Sequence, residues 1–283
     1  MSAEPVKSWA SESRARDDHQ SVEAQHIIDI CEKLFLNKTS PADAAQSIND
    51  ELYALMKANP ADLRITSVWG IVCHAVRELG SDQLISLSVV QMLDALRKIE
   101  VKGEDGNNIK KDWGGYFWKD LPGFALTFRE YGIDLEPDED LTDSEWLAQK
   151  THFHNATSFA ATALAASPHF SGFIFFFPVC MRDAFGGVDD EPAPPVRAAM
   201  YIPAVLAWLV NAGDNIYQLS KEGTQKGLDT DAWLSWKNSL DQVAADSSIG
   251  DDMRRLASEA KHTMSSIETR FGDSCTTQGT EET

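Results

Sequence analysis

From Ser21 to Phe271 apolar residues recur at three- and four-residue spacing, the period that lines one face of an α-helix. Ile27, Ile30, Cys31 and Leu34 mark a first helix. Ser40-Pro41-Ala42-Asp43 is a start signal. Ser40 accepts from an orphan backbone amide, Pro41 needs no amide partner at the first helical position, and Asp43 suits the positive end of the helix. The helix it opens turns Ala44, Ala45, Ile48, Leu52, Leu55 and Met56 inward. Asn59-Pro60-Ala61-Asp62 repeats the signal almost letter for letter, ahead of Ile65, Val68, Trp69, Val72, Val76 and Leu79. Gly80 fits the left-handed residue that closes a helix. Ser81-Asp82 opens a fourth helix with Leu84, Leu87, Val90, Leu93 and Leu96 inward. The short connections predict antiparallel neighbours, a stack of helical hairpins.

Lys102 to Asp112, with Gly103, Gly106 and two asparagines, breaks the pattern and is the predicted boundary between two lobes. The segment Trp113 to Phe124 mixes glycine with aromatic rings, which predicts a loop packed onto a core. A short helix near Phe124 to Tyr131 and an acidic loop from Asp134 to Asp140 follow. Thr142-Asp143-Ser144-Glu145 is a capping box, in which hydroxyl and carboxylate each satisfy a first-turn amide. The helix it starts is apolar nearly all round from Ala156 to Ala166, so it must be covered on several sides. Phe170 to Phe185 fits a helix that Pro178 kinks or starts. After the stiff connector Glu191 to Pro195, a second apolar helix runs from Arg197 to Tyr217, with a bend expected at Pro203. Gly223 and Gly227 end it. Asp229 opens a helix carrying Trp233, Trp236, Leu240 and Val243, and a polar helix from about Ile249 to Phe271 lies outermost. The predicted fold is all-α: a multi-helix antiparallel bundle or stack around a central apolar helix pair. The domain spans 21–271, between a disordered arm, 1–20, and a disordered tail, 272–283.

The 283 residues, 43% hydrophobic and 24% charged, have ordinary globular composition. Against 25 Lys+Arg stand 44 Asp+Glu, a formal net charge of -19. That balance repels phosphate backbones and anionic lipid surfaces, and the chain is expected to bind neither nucleic acid nor membrane. It favours solubility and a basic partner or cationic ligand. The closest approach to a charge-free apolar span, Ala198 to Ala212, falls short of a bilayer and contains Pro203. Cys31, Cys73, Cys180 and Cys275 form no CxxC pair or zinc pattern, and the first three fit small buried hydrophobes. The N-terminus shows no apolar signal core, so a cytoplasmic location is expected.

Several motifs together carry a family resemblance. Trp113 with Leu121-Pro122-Gly123-Phe124 and Arg129-Glu130-Tyr131 forms one, and Trp146 with Asn155, Phe159-Ala160 and Leu164 another. Arg182-Asp183-Ala184 and the helix from Ala207-Trp208 to Gly213 complete the set. In this order the chain resembles the fungal proteins grouped as domain-of-unknown-function family 3632, over roughly Leu63 to Glu222. The resemblance implies an intracellular helical protein and supplies no reaction or catalytic residue.

The residues themselves commit the chain to no chemistry. No glycine-rich nucleotide loop, P-loop, Gly-x-Ser-x-Gly elbow or kinase signature occurs, and no cofactor is implied. His152 and His154, two apart on a helix, point to nearly opposite sides and cannot both grip one metal ion, so no metal is expected. His74 and His169 stand alone and read as structural. Asn155, Arg182 and Asp214 are the predicted members of a buried or half-buried polar cluster, because an arginine on an inner face needs a carboxylate. The competing reading is that they cap or solvate helix ends. Trp146 and Trp208 are candidate walls of an apolar pocket, or core filling. Two functions stay open: an interaction or scaffold protein using a groove between helices, and an enzyme or carrier for a small apolar molecule between the Trp146 and Trp208 helices. The expected partner is accordingly a protein or a small apolar ligand.

Overall fold

A computed structural model describes residues 3–59, 62–110, 115–133, 141–185 and 194–277. Among these residues the regular structure is helical, with isolated bridges only at Lys102–Asn108, Lys110–Tyr116 and Gln225–Leu228. The chain divides into two compact units, Met1–Leu135 and Glu136–Thr283.

The first unit contains α1 (Glu4–Ala15), a 3-10 turn (Asp17–His19), α2 (Val22–Phe35), α3 (Pro41–Ala58), α4 (Leu63–Leu79), α5 (Gln83–Leu96) and α6 (Phe124–Phe128), which runs into a π-helical turn (Arg129–Ile133). The expected disordered arm is thus folded. Val6, Trp9, Ala10 and Ser13 form an i, i+3, i+4, i+7 stripe that is buried, and the Trp9 ring meets Phe35 edge-on at 5.2 Å. That stripe outweighs the polar composition around it. Ser21, Ser40 and Asp82 cap α2, α3 and α5, accepting from the amides of Ala24, Asp43, and Leu84 and Ile85. The Asn59-to-Asp62 signal acts otherwise. Asn59 closes α3, its amide bonding Leu55 O, while Asp62 caps α4 through Arg64 N. Gly80 ends α4 in a right-handed conformation (φ -66°), and Leu84 is 61% exposed rather than inward.

Helix pairing in this unit follows chain order only in part. The most extensive contact joins α3 to α5; α2 lies against both α3 and α4, and α1 against α2 and α4. The consecutive pairs α1–α2 and α2–α3 are neighbours as expected, while α3–α4 and α4–α5 touch lightly and the bundle closes through α3 and α5. The aromatic loop docks as expected. Phe117, Trp118, Leu121 and Phe124 are buried. Trp118 donates from Nε1 to Asn49 Oδ1 on α3 (2.9 Å), and Trp69 of α4 donates to Pro122 O (2.9 Å). These ties return the chain to α3 and α4, and the 102–110 loop therefore lies inside the first unit instead of dividing two lobes.

The second unit contains α7 (Asp143–Ala166), a 3-10 segment (Pro168–Phe175), α8 (Phe176–Phe185), α9 (Pro194–Glu222), α10 (Thr230–Ala245) and α11 (Asp251–Thr277). The Thr142–Glu145 capping box is formed. The apolar pair α7–α9 makes the largest contact, and α8 and α11 also pack on α9. Every residue from Asn155 to Leu164 is buried. Asn155, Thr157, Ser158 and Thr162 are buried with the alanines, so the helix interior is less apolar than its neighbours suggest. The Phe170–Phe185 run is helical except at Phe170, where φ -101° and ψ 18° mark a kink, and it keeps 3-10 geometry before Phe176. Helix α9 continues through Pro203, whose missing amide leaves the Ala199 carbonyl without its helical donor. By length and composition Pro195–Glu222 could cross a membrane, a test that a buried core helix also passes. Gly223, at φ 59°, closes α9, and Asp229 caps α10 through Ala232 N. Helix α11 runs to Thr277, into the stretch expected as tail, and residues 278–283 lie outside the described residues. Its apolar edge, Ala257, Ala260, Met264 and Ile267, is buried.

Cys31, Cys73 and Cys180 are reduced and buried. Burial pushes the Cys31 thiol up to about 12 and raises the other two as well.

Candidate functional site

The five residues singled out from sequence do not converge on one buried site. Asn155 is buried on α7. Arg182 leaves the last turn of α8 with its side chain 59% exposed and pairs with its neighbour Asp183 at 2.7 Å. Asp214 is 56% exposed on α9 and pairs with Arg270 of α11. Both charges thus take local partners beside solvent, and the expected buried cluster of Asn155, Arg182 and Asp214 is not formed. Trp208 is fully enclosed, edge-on to Phe177 at 5.9 Å, and fills the core. Trp146 is half-buried beneath the Lys150 ammonium, 5.2 Å from its ring. Trp113 lies outside the described residues. His152 and His154 are both half-buried. Burial lowers the His154 pKa, opposed by a hydrogen bond to the Pro203 backbone. Among the described residues no group of three His, Cys, Asp or Glu side chains is placed to hold a metal.

Two of the concavities formed by the described residues present polar groups together. The first is an open groove of about 530 Å³ between α2 and α3. Helix α2 supplies His26, Asp29, Ile30 and Lys33, one turn-spaced face; α3 supplies Ser47, Asp50 and Glu51. The Leu36–Ser40 turn makes the helices adjacent, and His26 Nδ1 bridges them to Glu51 Oε1 at 3.0 Å. Gln46 donates to Asp50 Oδ1 (2.7 Å), which orients that carboxylate. Arg14 of α1 reaches Asp29 at 2.6 Å and Glu32 at 2.5 Å, anchoring the first helix at the rim. Three groove carboxylates stand against Lys33, His26 and, at the rim, Arg14, a small negative excess with Ile30 as its apolar patch.

The second is a smaller cavity of about 210 Å³ within the second unit. The end of α8 (Ala184, Phe185) and the start of α9 (Arg197, Ala198) form one side. Ser239, Gln242 and Val243 of α10, with Asp246 and Ile249 of the following turn, form the other. The Nε and Nη1 atoms of Arg197 are sealed from solvent. Asp246 Oδ1 accepts from Ser248 N (2.8 Å) and Ser248 Oγ (2.7 Å). Those bonds hold its carboxyl below the usual range, so it is ionised at neutral pH.

A third polar cluster escaped the sequence reading because half of it sits in the presumed arm. Ser13 Oγ and His74 Nδ1 are 2.8 Å apart, and His74 Nε2 lies 3.8 Å from Glu78 Oε1. His19 Nδ1 contacts Ser13 O at 3.0 Å, its ring 6.3 Å from that of His74. Ser13 is 0% exposed, so its hydroxyl has no route to a substrate, and the cluster clasps α1 to α4. Desolvation pulls the His74 pKa down to about 4, Glu78 partly opposing it. The only cue in the sequence was the position of Ser13 on the Val6–Trp9–Ala10 stripe.

A family model described as "Protein of unknown function (DUF3632)" matches residues 69–255. It covers the aromatic loop, α7 to α10 and the 210 Å³ cavity, and it begins after the α2–α3 groove. Neither the curated proteins nor the solved structures contain a match.

Proposed function

We propose that this chain, which belongs to the DUF3632 family, is an interaction protein whose α2–α3 groove receives a lysine- or arginine-bearing segment of a partner protein. The observation that carries the reading is the groove itself, where Asp29 of α2 and the consecutive Asp50 and Glu51 of α3 stand around Ile30. Such a surface suits a segment that carries cationic residues beside aliphatic ones. The formal charge of -19 supports it by drawing a basic partner in from a distance. Since the family match starts at residue 69, the groove belongs to a part of the chain the family model does not describe. A carrier or enzyme acting on a small apolar molecule between the Trp146 and Trp208 helices gains less support, as Trp208 is spent on core packing.

Fluorescence anisotropy with a labelled amphipathic peptide, lysine and leucine at three- and four-residue spacing, tests the proposal. The full chain should bind it more weakly as salt rises. Asp50→Lys with Glu51→Lys should weaken binding at least tenfold, a loss of about 1.4 kcal/mol. Equal affinity of the parent and the doubly reversed chain would defeat the reading, as would equal affinity for a glutamate-for-lysine peptide.

A further inference from the structure

We infer that α1 gates the α2–α3 groove: the Arg14 guanidinium holds its Asp29 end as an autoinhibitory contact, and an arginine of the partner segment enters by displacing it. The inference rests on the groove being the receptor for a basic segment. It adds that the chain supplies, from its own first helix, a competitor of the same charge.

Arg14 lies in the last turn of α1. Its Nη2 donates to Asp29 Oδ1 (2.6 Å) and to Glu32 Oε2 (2.5 Å), two carboxylates one turn apart on α2. Asp29 also lines the groove, so a single carboxylate serves both the gate and the receptor face. While Arg14 holds it, an incoming cation meets a carboxylate that is already paired. Once Arg14 turns away, the three carboxylates of the groove are left with Lys33 and His26.

The moving part is the side chain and not the helix. Ser13 Oγ is hydrogen-bonded to His74, and the Arg14 carbonyl accepts from Gln20 Nε2 (3.1 Å) and Gln25 Nε2 (3.3 Å), which fixes the backbone. The Arg14 side chain lies outside that clamp and is 35% exposed. An ion pair so open to water is weak, and a second guanidinium can replace it. Arginine suits the exchange better than lysine, since its planar fork can bridge Asp29 and Glu32 together. Groove and gate both precede the family-matched residues, 69–255.

Fluorescence anisotropy of the full chain with a labelled peptide of arginine and leucine tests the gate. Arg14→Gln should tighten binding about threefold or more, the scale of one exposed ion pair. Arg16→Gln removes the same charge two residues on, where it pairs with Asp18 and not with the groove, and should bind as the parent does. With Asp29→Asn and Glu32→Gln both in place, Arg14→Gln should bring no gain, because the carboxylates it uncovers are gone. A parent that does not bind beside an Arg14→Gln chain that does would also support the inference, as a gate fully closed. Equal affinity of the parent and Arg14→Gln overturns the gate and leaves the proposed role of the groove standing. A gain that survives loss of the two carboxylates overturns it as well, since the effect then comes from a loosened α1. An equal gain in Arg16→Gln overturns it as a general effect of charge. If neither the parent nor Arg14→Gln binds, the groove is no receptor and the gate falls with it.

Discussion

At the scale of single residues, burial of His74, whose ring is hydrogen-bonded to Ser13 61 positions earlier, gives the first unit a pH dependence. An unfolded histidine titrates near 6.5, whereas native His74 resists its proton until about pH 4. Below pH 6.5 the unfolded chain takes up a proton that the native state refuses. The stabilisation is therefore complete above 6.5, falls as the pH drops from 6.5 to 4, and is lost below. Urea midpoints across that range should fall toward acid, and His74→Asn should flatten the slope while costing roughly 1 kcal/mol at pH 7 through the lost Ser13 bond. An unchanged slope in the variant would remove His74 from this role. Sequence alone read His74 as standing alone and missed its partner, since Ser13 means nothing until α1 is known to fold. The same limit defeated Arg182 and Asp214. Their apolar surroundings suggested interior charges, yet each sits on the outer side of its helix with a carboxylate or guanidinium at hand in Asp183 and Arg270.

At the scale of elements, the caps were the most legible feature. A side-chain oxygen three residues before an amide acts locally, and Ser40, Thr142 and Asp229 behave as that rule requires. Asn59 failed because one residue served two ends: its amide completes α3, so the start signal shifted to Asp62. The pairing of α3 with α5 was not legible, because tertiary fit and not the length of any connection brings them together. A close approach between α9 and α11 yields a prediction at this scale. A β-carbon placed on Gly213 would stand 2.4 Å from Ile267 Cδ1, and Ile267 is itself 0% exposed. Gly213→Ala gains about 1 kcal/mol of helix propensity. It also forces an overpacked contact that costs about 1–3 kcal/mol. The variant should melt below the parent, and pairing it with Ile267→Val should recover most of the loss; a raised melting temperature for Gly213→Ala alone would contradict the close contact.

For the molecule as a whole, all-helical architecture was readable from period and composition, while the partition into units was not. The break was expected at the glycine-rich 102–112 loop, but the following aromatic residues bind back to Asn49 and Trp69 and keep that loop with the helices before it. Punctuation in a sequence marks where the chain turns; only side-chain anchors decide which body it stays with. The thiols of the two units carry a practical corollary. Cys31 and Cys73 are buried in the first and Cys180 in the second, all kept in the unreactive protonated form by desolvation. Alkylation at each therefore waits on opening of the helices around it, and the three labelling rates time those openings site by site. Iodoacetamide modification followed by peptide mass spectrometry should give matching rates for Cys31 and Cys73. A separate rate at Cys180 would register its own unit as a distinct kinetic body, turning three inert side chains into built-in stopwatches.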